Sequence, residues 1–179
     1  MQRTRFVGLL ASALVAAAAP CSGVVAQATA PAEPSEAGAH AELKALYRKL
    51  IDAENLHDLA SVRAMLLDSP SSLFISRLAP VSKGDWGGYW GTESVVHHFA
   101  DLYKGVFRID PDYSQEKEVL LTPDVAEAYV PVVITSSYGG QAAAARHFIM
   151  VLVWIKTPSG WKVATDVPMP IPPAPTVAH

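Results

Sequence analysis

The stretch "RHFIMVLVWI", residues 146–155, decides the fold, because it has the length and composition of a strand but no polar side. Side chains of a strand alternate between the two faces of a sheet. Phe148, Met150, Leu152 and Trp154 therefore share one face, and Ile149, Val151, Val153 and Ile155 share the other. A strand that borders water on one side normally has polar residues there. Both faces of this strand must therefore be covered.

Further strands are predicted on both sides of residues 146–155 in the sequence, whereas helices are predicted only before them. Strands are predicted at "SLFIS", "KEVLL", "AEAYVPVVITSSY" and "WKVATDV", with turns at "TPD" and "TPSG". A helix is predicted from Ala41 to about Asn55, a second follows an N-cap at Asp58, and a third begins at Thr92. The stretch "RLAPVSKGDWGGYWG" is expected to be irregular. Helices followed by a meander of strands predict an α+β fold with helices on one face of an antiparallel sheet.

The termini have compositions of their own. Residues 1–28 combine Arg3 and Arg5, an apolar run and the small-residue site "AQA", which is typical of an export signal and too short for a membrane span of about 20 residues. Residues 29–40 predict a flexible lead, residues 41–172 one folded domain, and residues 173–179 an extended proline-rich tail. We expect a periplasmic or secreted protein that has no contact with the membrane once the signal is removed.

Charge and cysteine content exclude several classes of function. Cys21 lies in the signal, so the mature chain has no disulfide, thiol nucleophile or thiolate metal site. Without Arg3 and Arg5 the 14 basic residues become 12, against 17 acidic ones, and they are scattered. Nucleic acid is therefore not an expected partner, because its binding needs a basic patch. No dinucleotide, phosphate-loop or serine–histidine–acid motif occurs, and no cofactor is expected.

Four segments together resemble the nuclear transport factor 2-like superfamily, in its SnoaL-like and steroid-isomerase-like bacterial branch. They are "AENLHDLASVRAMLLDSPSSLFI", "GTESVVHHFADLY", "DVAEAYVPVVI" and "GWKVATDVPMP", within residues 41–172. The resemblance implies a cone, in which N-terminal helices pack on a strongly curved sheet around an apolar pocket, and dimers through the sheet. The positions of the catalytic tyrosine and aspartate of the steroid isomerases fall at about Leu50 and Phe74 in this sequence. Both catalytic groups are therefore missing, and the steroid-isomerase reaction is not expected of this chain.

Glu54 is the main candidate for chemistry, with Tyr47 and His98 beside it. On the helical wheel Glu54 lies in the middle of the apolar arc that includes Tyr47. An apolar pocket would raise the pKa of this carboxyl and make it a general acid or base. The alternatives are a helix that ends early, leaving Glu54 at the rim, or a structural pair with His57 or an arginine.

Adjacent histidines do not predict a metal site here. His97 and His98 point about 100° apart on a helix, so they cannot share one ion comfortably. His98 flanks the apolar arc and His97 faces outward. No metal is expected. The residues expected to contact a ligand are large or charged and lie in the glycine-rich loop, the third helix and the central strand: Trp86, Trp90, Phe99, Tyr103, Arg146 and Trp154.

Two functions remain open at this point. One is an exported protein that binds a small apolar molecule in a pocket. The other is an acid–base isomerase, lyase or hydrolase acting on an apolar molecule that contains a carbonyl group. Two polar side chains converging in a closed apolar cavity would favour the enzyme, whereas scattered polar groups around an open groove would favour binding. In either case the second apolar face of residues 146–155 predicts a homodimer.

The export signal makes a prediction about the mature chain. Because "AQA" ends at Ala28, protein recovered from the exported fraction of cells should begin at Thr29. N-terminal sequencing measures this directly. Exported protein that still begins at Met1 would contradict the assignment.

Overall fold

The computed structural model describes residues 36–79 and 83–172. The expected signal, the lead up to residue 35 and the tail at 173–179 lie outside the described residues. Within them no helix is long and apolar enough to cross a bilayer.

Three helices precede or interrupt the strands, and they match the expected ones apart from one boundary. They are α1 (Glu36–Asn55), α2 (Leu59–Met65) and α3 (Thr92–Leu102). Helix α1 begins at Glu36, so residues 36–40 are helical and do not belong to a flexible lead. The N-cap of α2 is confirmed, because the Asp58 carboxylate accepts a hydrogen bond from the Ser61 backbone N–H at 3.1 Å.

The helices pack against one curved, mostly antiparallel sheet of seven strands, which confirms the α+β fold. The strands are β1 (Leu73–Arg77), β2 (Trp86–Trp90), β3 (Phe107–Pro111), β4 (Lys117–Thr122), β5 (Val125–Ser136), β6 (Ala144–Thr157) and β7 (Gly160–Pro170). Their order is β2-β1-β7-β6-β5-β3, and β4 pairs with the other half of β5. Only β1 and β7 run parallel.

The expectation that the glycine-rich stretch is irregular was wrong over residues 86–90. These residues form β2, which pairs with β1 from Leu73↔Trp90 to Arg77↔Trp86. A Cβ atom at Gly87 would lie 2.9 Å from Leu78, and one at Gly88 would lie 2.9 Å from Leu73. A larger residue at either position would have to displace these leucine side chains, which cross over the backbone of the strand.

The end of α1 is fixed to β3 by an exchange of hydrogen bonds. The Asn55 side chain accepts from the Ile109 N–H at 2.7 Å and donates to the Ile109 carbonyl at 2.8 Å. His57 then turns the chain with a φ of 57°, and a ring nitrogen of its side chain lies 3.0 Å from the Phe107 carbonyl. The last turn of α1, which includes Glu54, is held over the sheet in this way.

The two faces of β6 differ, and the structure settles which face is inward. Met150, Leu152 and Trp154 are buried beneath the helices. Val151 and Val153 lie on the outer face and are only partly buried. The outer face, with Val151 and Val153 near its middle, is therefore the face of this strand that remains available to a dimer partner.

An apolar patch continues across three strands on this outer face. Val151 lies between Tyr129 of β5 and Val167 of β7, and the next outward residue of β6, Ile149, lies between Pro131 and Met169. Tyr129 and Met169 are 39% and 45% exposed, which leaves a wide apolar surface in water. We propose that a second copy of the sheet covers it.

Sedimentation tests this dimer. The chain from Thr29 should sediment as a dimer at micromolar concentration. Val151→Arg should produce a monomer, since two buried like charges near a two-fold axis cost several kcal/mol. Leu56→Arg is the control, because Leu56 is exposed at the end of α1. A wild-type monomer that stays soluble would contradict the proposal.

Candidate functional site

An apolar pocket opens between the helices and the inner face of the sheet. Its empty volume, including the part open to solvent, is about 630 Å³. Most of its wall is apolar and comes from α3, β1, β3, β5 and β6: Phe74, Phe99, Leu102, Phe107, Ile109, Ile134, Phe148 and Met150. Pockets that bind small molecules commonly have such a wall with a few polar groups placed in it.

Glu54 is the acidic residue in the wall of this pocket. It lies in the last turn of α1 and only 1% of its surface is exposed. Its Oε2 atom is buried without a hydrogen-bond partner. Burial raises the pKa of this carboxyl well above its usual value, and the nearby Asp166 raises it further. The structure thus places Glu54 in the concavity, and neither at the rim nor in an ion pair.

Asp166 is the residue that sequence reasoning misplaced. Regular alternation along this strand of the sequence predicts that Asp166 shares a face with Lys162 and Ala164 and is solvated or paired. Instead Val153 pairs with Thr165 and Trp154 with Val163, so that Ala164 is an extra residue in a bulge. The bulge reverses the alternation and turns Asp166 inward, where it is 3% exposed. Two consecutive apolar residues, Val163 and Ala164, are the signal that could have indicated it.

Burial favours the protonated form of both carboxyls. Burial raises the pKa of Asp166 to about 8. Its Oδ1 atom, like Oε2 of Glu54, has no hydrogen-bond partner. Ionisation of either group is opposed by the low polarity around it, and ionisation of both would place two negative charges close together.

Tyr47 belongs to the same buried group. It is fully buried in α1, and its hydroxyl has no hydrogen-bond partner. Burial, followed by the neighbouring charges of Asp166 and Glu54, raises the pKa of this hydroxyl. The phenol therefore stays protonated. It lies behind the pocket wall and does not form part of it.

His98 is part of an aromatic cluster beside the pocket. Its ring stacks on Tyr89 with centroids 3.9 Å apart and meets Tyr138 edge-on at 5.0 Å. Burial lowers the pKa of His98 to about 4, so its imidazole is neutral, and neither ring nitrogen has a partner. His97 is exposed, as expected. Among the described residues no group of three acidic, histidine or cysteine side chains could hold a metal ion.

The expected ligand contacts divide into two groups. Trp86, Phe99 and Arg146 line the pocket. Trp90 is 62% exposed on β2 and Trp154 is fully buried in the core, so neither contributes to the wall. Tyr103 also lies outside the wall and stacks on His57 with centroids 4.5 Å apart. The helical wheel and the strand alternation identified Phe99, Arg146 and Trp154 as inward-facing, but they did not distinguish residues of the pocket wall from residues of the packed core.

The mouth of the pocket has a different character from its interior. Arg146 of β6 and Arg77 of β1 line the pocket and are partly exposed, whereas Glu54 is buried, which places the two arginines toward the open side. Arg146 donates a hydrogen bond to the side-chain oxygen of Gln141 at 2.9 Å, and the Arg77 guanidinium lies 5.8 Å from the Trp86 ring. Arg77, Trp86 and Gln141 stand at or beyond strand ends, whereas Glu54 reaches the pocket from the helical layer. The pocket therefore has a carboxyl whose protonated form is favoured on the side of the helices, and two positively charged guanidiniums at the strand ends.

Solved structures with the same fold are numerous, although their sequences are distant. An NTF2-like superfamily protein from Salmonella enterica superposes with a TM-score of 0.63 at 13% identity, covering 80% of this chain and 98% of that one. An NTF2-like protein from Cytophaga hutchinsonii gives 0.57 at 20% identity, covering 73% and 97%. A ketosteroid isomerase-like protein from Erwinia carotovora atroseptica gives 0.55 at 15% identity, covering 74% and 96%.

These likenesses show that the chain has the NTF2-like fold. No protein-family model matches the sequence, and a search of curated proteins gives no match. The SnoaL-like branch stays a prediction. Because this fold carries many unrelated activities, function has to be argued from the pocket.

The buried carboxyls predict how stability depends on pH. Since the pKa of Asp166 is raised to about 8, the unfolded chain loses this proton at lower pH than the folded chain does. The unfolded state then binds fewer protons, so the free energy of unfolding falls as pH rises from about 4 to about 8. Glu118, whose pKa burial raises to about 7, acts in the same direction.

Asp166→Asn isolates the contribution of Asp166. The free energy of unfolding of the wild type should fall between pH 5 and pH 8. In the variant it should fall by at least about 1 kcal/mol less, since one pKa unit corresponds to about 1.4 kcal/mol. Denaturant titrations at several pH values measure this difference. Asp124→Asn, in an exposed turn, should leave the slope unchanged. Parallel profiles for the wild type and Asp166→Asn would contradict the burial of an unpaired carboxyl.

Proposed function

We propose that this chain is an exported protein that binds a small apolar molecule in the pocket. The observation that carries the proposal is Glu54, a buried carboxyl with an unpartnered oxygen in a mostly apolar wall. A buried polar atom without a partner costs about 1–3 kcal/mol. A ligand that supplies the partner recovers this energy and adds apolar contacts.

The protonation of Glu54 limits what the ligand presents to it. With its pKa raised by burial and by Asp166, the carboxyl favours its protonated form, which donates a hydrogen bond. A carbonyl, ether or hydroxyl oxygen accepts such a bond, whereas a second donor without an acceptor does not fit. The proposed ligand is therefore an apolar molecule with an oxygen acceptor at the end that enters most deeply.

An acid–base enzyme is the second candidate, and Asp166 is the observation that favours it. Once this pair of neighbouring carboxyls has lost one proton, the ionised member can act as the base toward a substrate while the protonated member acts as the acid. A proton given to a carbonyl oxygen and one taken from the adjacent carbon amount to an isomerisation. A ketosteroid isomerase-like protein is among the structures with this fold. However, Asp166 is not in the pocket wall, so binding remains the leading proposal.

A pair of probes tests the role of Glu54. 4-Phenyl-2-butanone and butylbenzene share an apolar body, but only the ketone has an oxygen acceptor. Calorimetry at pH 7 should show that the ketone binds about 3–10-fold more tightly, the value of one net hydrogen bond. Glu54→Leu should abolish this difference, while Glu54→Gln should keep it, because an amide N–H also donates.

The control is Glu127→Gln, which changes an exposed carboxylate on the outer face of β5. It should leave both affinities unchanged. Equal binding of ketone and hydrocarbon by the wild type would overturn the role of Glu54. Exchange of deuterium into the ketone α-carbon, lost in both Glu54→Gln and Asp166→Asn, would instead support the enzyme.

A further inference from the structure

The described part of the chain contains five arginines, and their partners separate them into two classes. Three pair with carboxylates: Arg48 with Glu116 at 2.8 Å, Arg63 with Glu93, and Arg108 with Asp110 at 2.6 Å. Arg77 and Arg146 have no carboxylate partner among the described residues, and both lie in the pocket wall. The unpaired guanidiniums are thus concentrated at one site.

Both side chains are partly withdrawn from water and held in place. Arg77 and Arg146 are each half-buried. Gln141 accepts a hydrogen bond from Arg146, and the Trp86 ring lies near Arg77. A freely solvated arginine at a strand end would not be held by a neutral amide or by an aromatic ring of the pocket wall, as these two arginines are. These contacts orient the two charges without neutralising them.

Arg146 also begins the row of β6 side chains that enters the pocket. Phe148 and Met150 follow it on the same face and line the wall, and Leu152 beyond them pairs with Asp166. The backbone distance from Arg146 to Met150 is about 13 Å at 3.3 Å per residue. A ligand that reached from Arg146 to the region of Met150 would therefore have a body about the length of a phenyl ring with a short chain.

We propose that the ligand is a small organic acid, whose carboxylate binds Arg77 and Arg146 at the mouth while its apolar body extends inward toward Glu54. A guanidinium binds a carboxylate through two parallel hydrogen bonds, and burial of the pair away from solvent strengthens them. The inner end disfavours a negative charge because its wall is apolar and, among the described residues, has no cationic side chain to pair with an anion. The orientation of the ligand is therefore fixed by charge. This inference rests on the proposed function and adds the chemical class of the ligand.

Matched probes separate the two claims. 4-Phenylbutanoate and 4-phenyl-1-butanol have the same body, and only the acid has a carboxylate. Calorimetry at pH 7 and low salt should show at least tenfold tighter binding of the acid, and added salt should reduce this preference. Arg77→Gln and Arg146→Gln should each weaken the acid about fivefold or more and weaken the alcohol much less, because the alcohol has no charge for the guanidinium to pair with. Arg146→Lys should restore part of the loss.

Arg108→Gln is the matched control, because Arg108 is an exposed arginine paired with Asp110. It should change neither affinity. Equal binding of acid and alcohol by the wild type, or an equal loss of both in the arginine variants, overturns the organic-acid proposal and leaves the apolar pocket standing. Binding of neither probe, repeated with naphthyl and octyl pairs, overturns both proposals.

Discussion

The inner side-chain row of β6 is the constraint on which the rest of the structure depends. Trp154 and Leu152 are fully buried, Met150 and Phe148 form the pocket wall, and Arg146 lies at the mouth. One strand therefore passes from packed core to cavity to charged rim within nine residues. The curvature of the sheet makes this possible, because the helices cover one end of the row and leave the other end open.

Burial of carboxyls follows from the same geometry. The end of α1 is held over the concave face by Asn55, and this places Glu54 above the inner rows of the sheet. The bulge at Ala164 turns Asp166 toward the same region. Neither carboxyl has a cationic partner among the described residues, so each remains protonated at the expense of stability at higher pH. Groups that reduce stability in this way are often found at functional sites.

The opposite polarity of the two ends gives the pocket a direction. The apolar inner end has no cationic side chain among the described residues to pair with an anion, whereas the oriented arginines without carboxylate partners favour one. Between them the wall is apolar and selects by shape and area. A site of this kind distinguishes ligands by where their polar atoms lie, since a wrongly placed charge would be buried against a like charge or an apolar wall.

The sequence by itself determined the three helices, five of the seven described strands and most of the inward-facing residues. Apolar periodicity predicted the α+β order, the three helices, and a central strand with two apolar faces, because these features depend on neighbours within a few residues. It also identified Glu54 as a carboxyl on an apolar helix face, since the wheel depends only on local geometry.

Only the tertiary structure decided the site. Strand β2 was missed because its glycines are explained by the side chains of Leu73 and Leu78, which reach it across the sheet and the hairpin. Asp166 was assigned to the wrong face because a one-residue bulge reverses the alternation that the sequence implies. The open mouth beside Arg146 and the closed core around Trp154 lie on one row of one strand. Only the position of the helices above that row separates a pocket from a core.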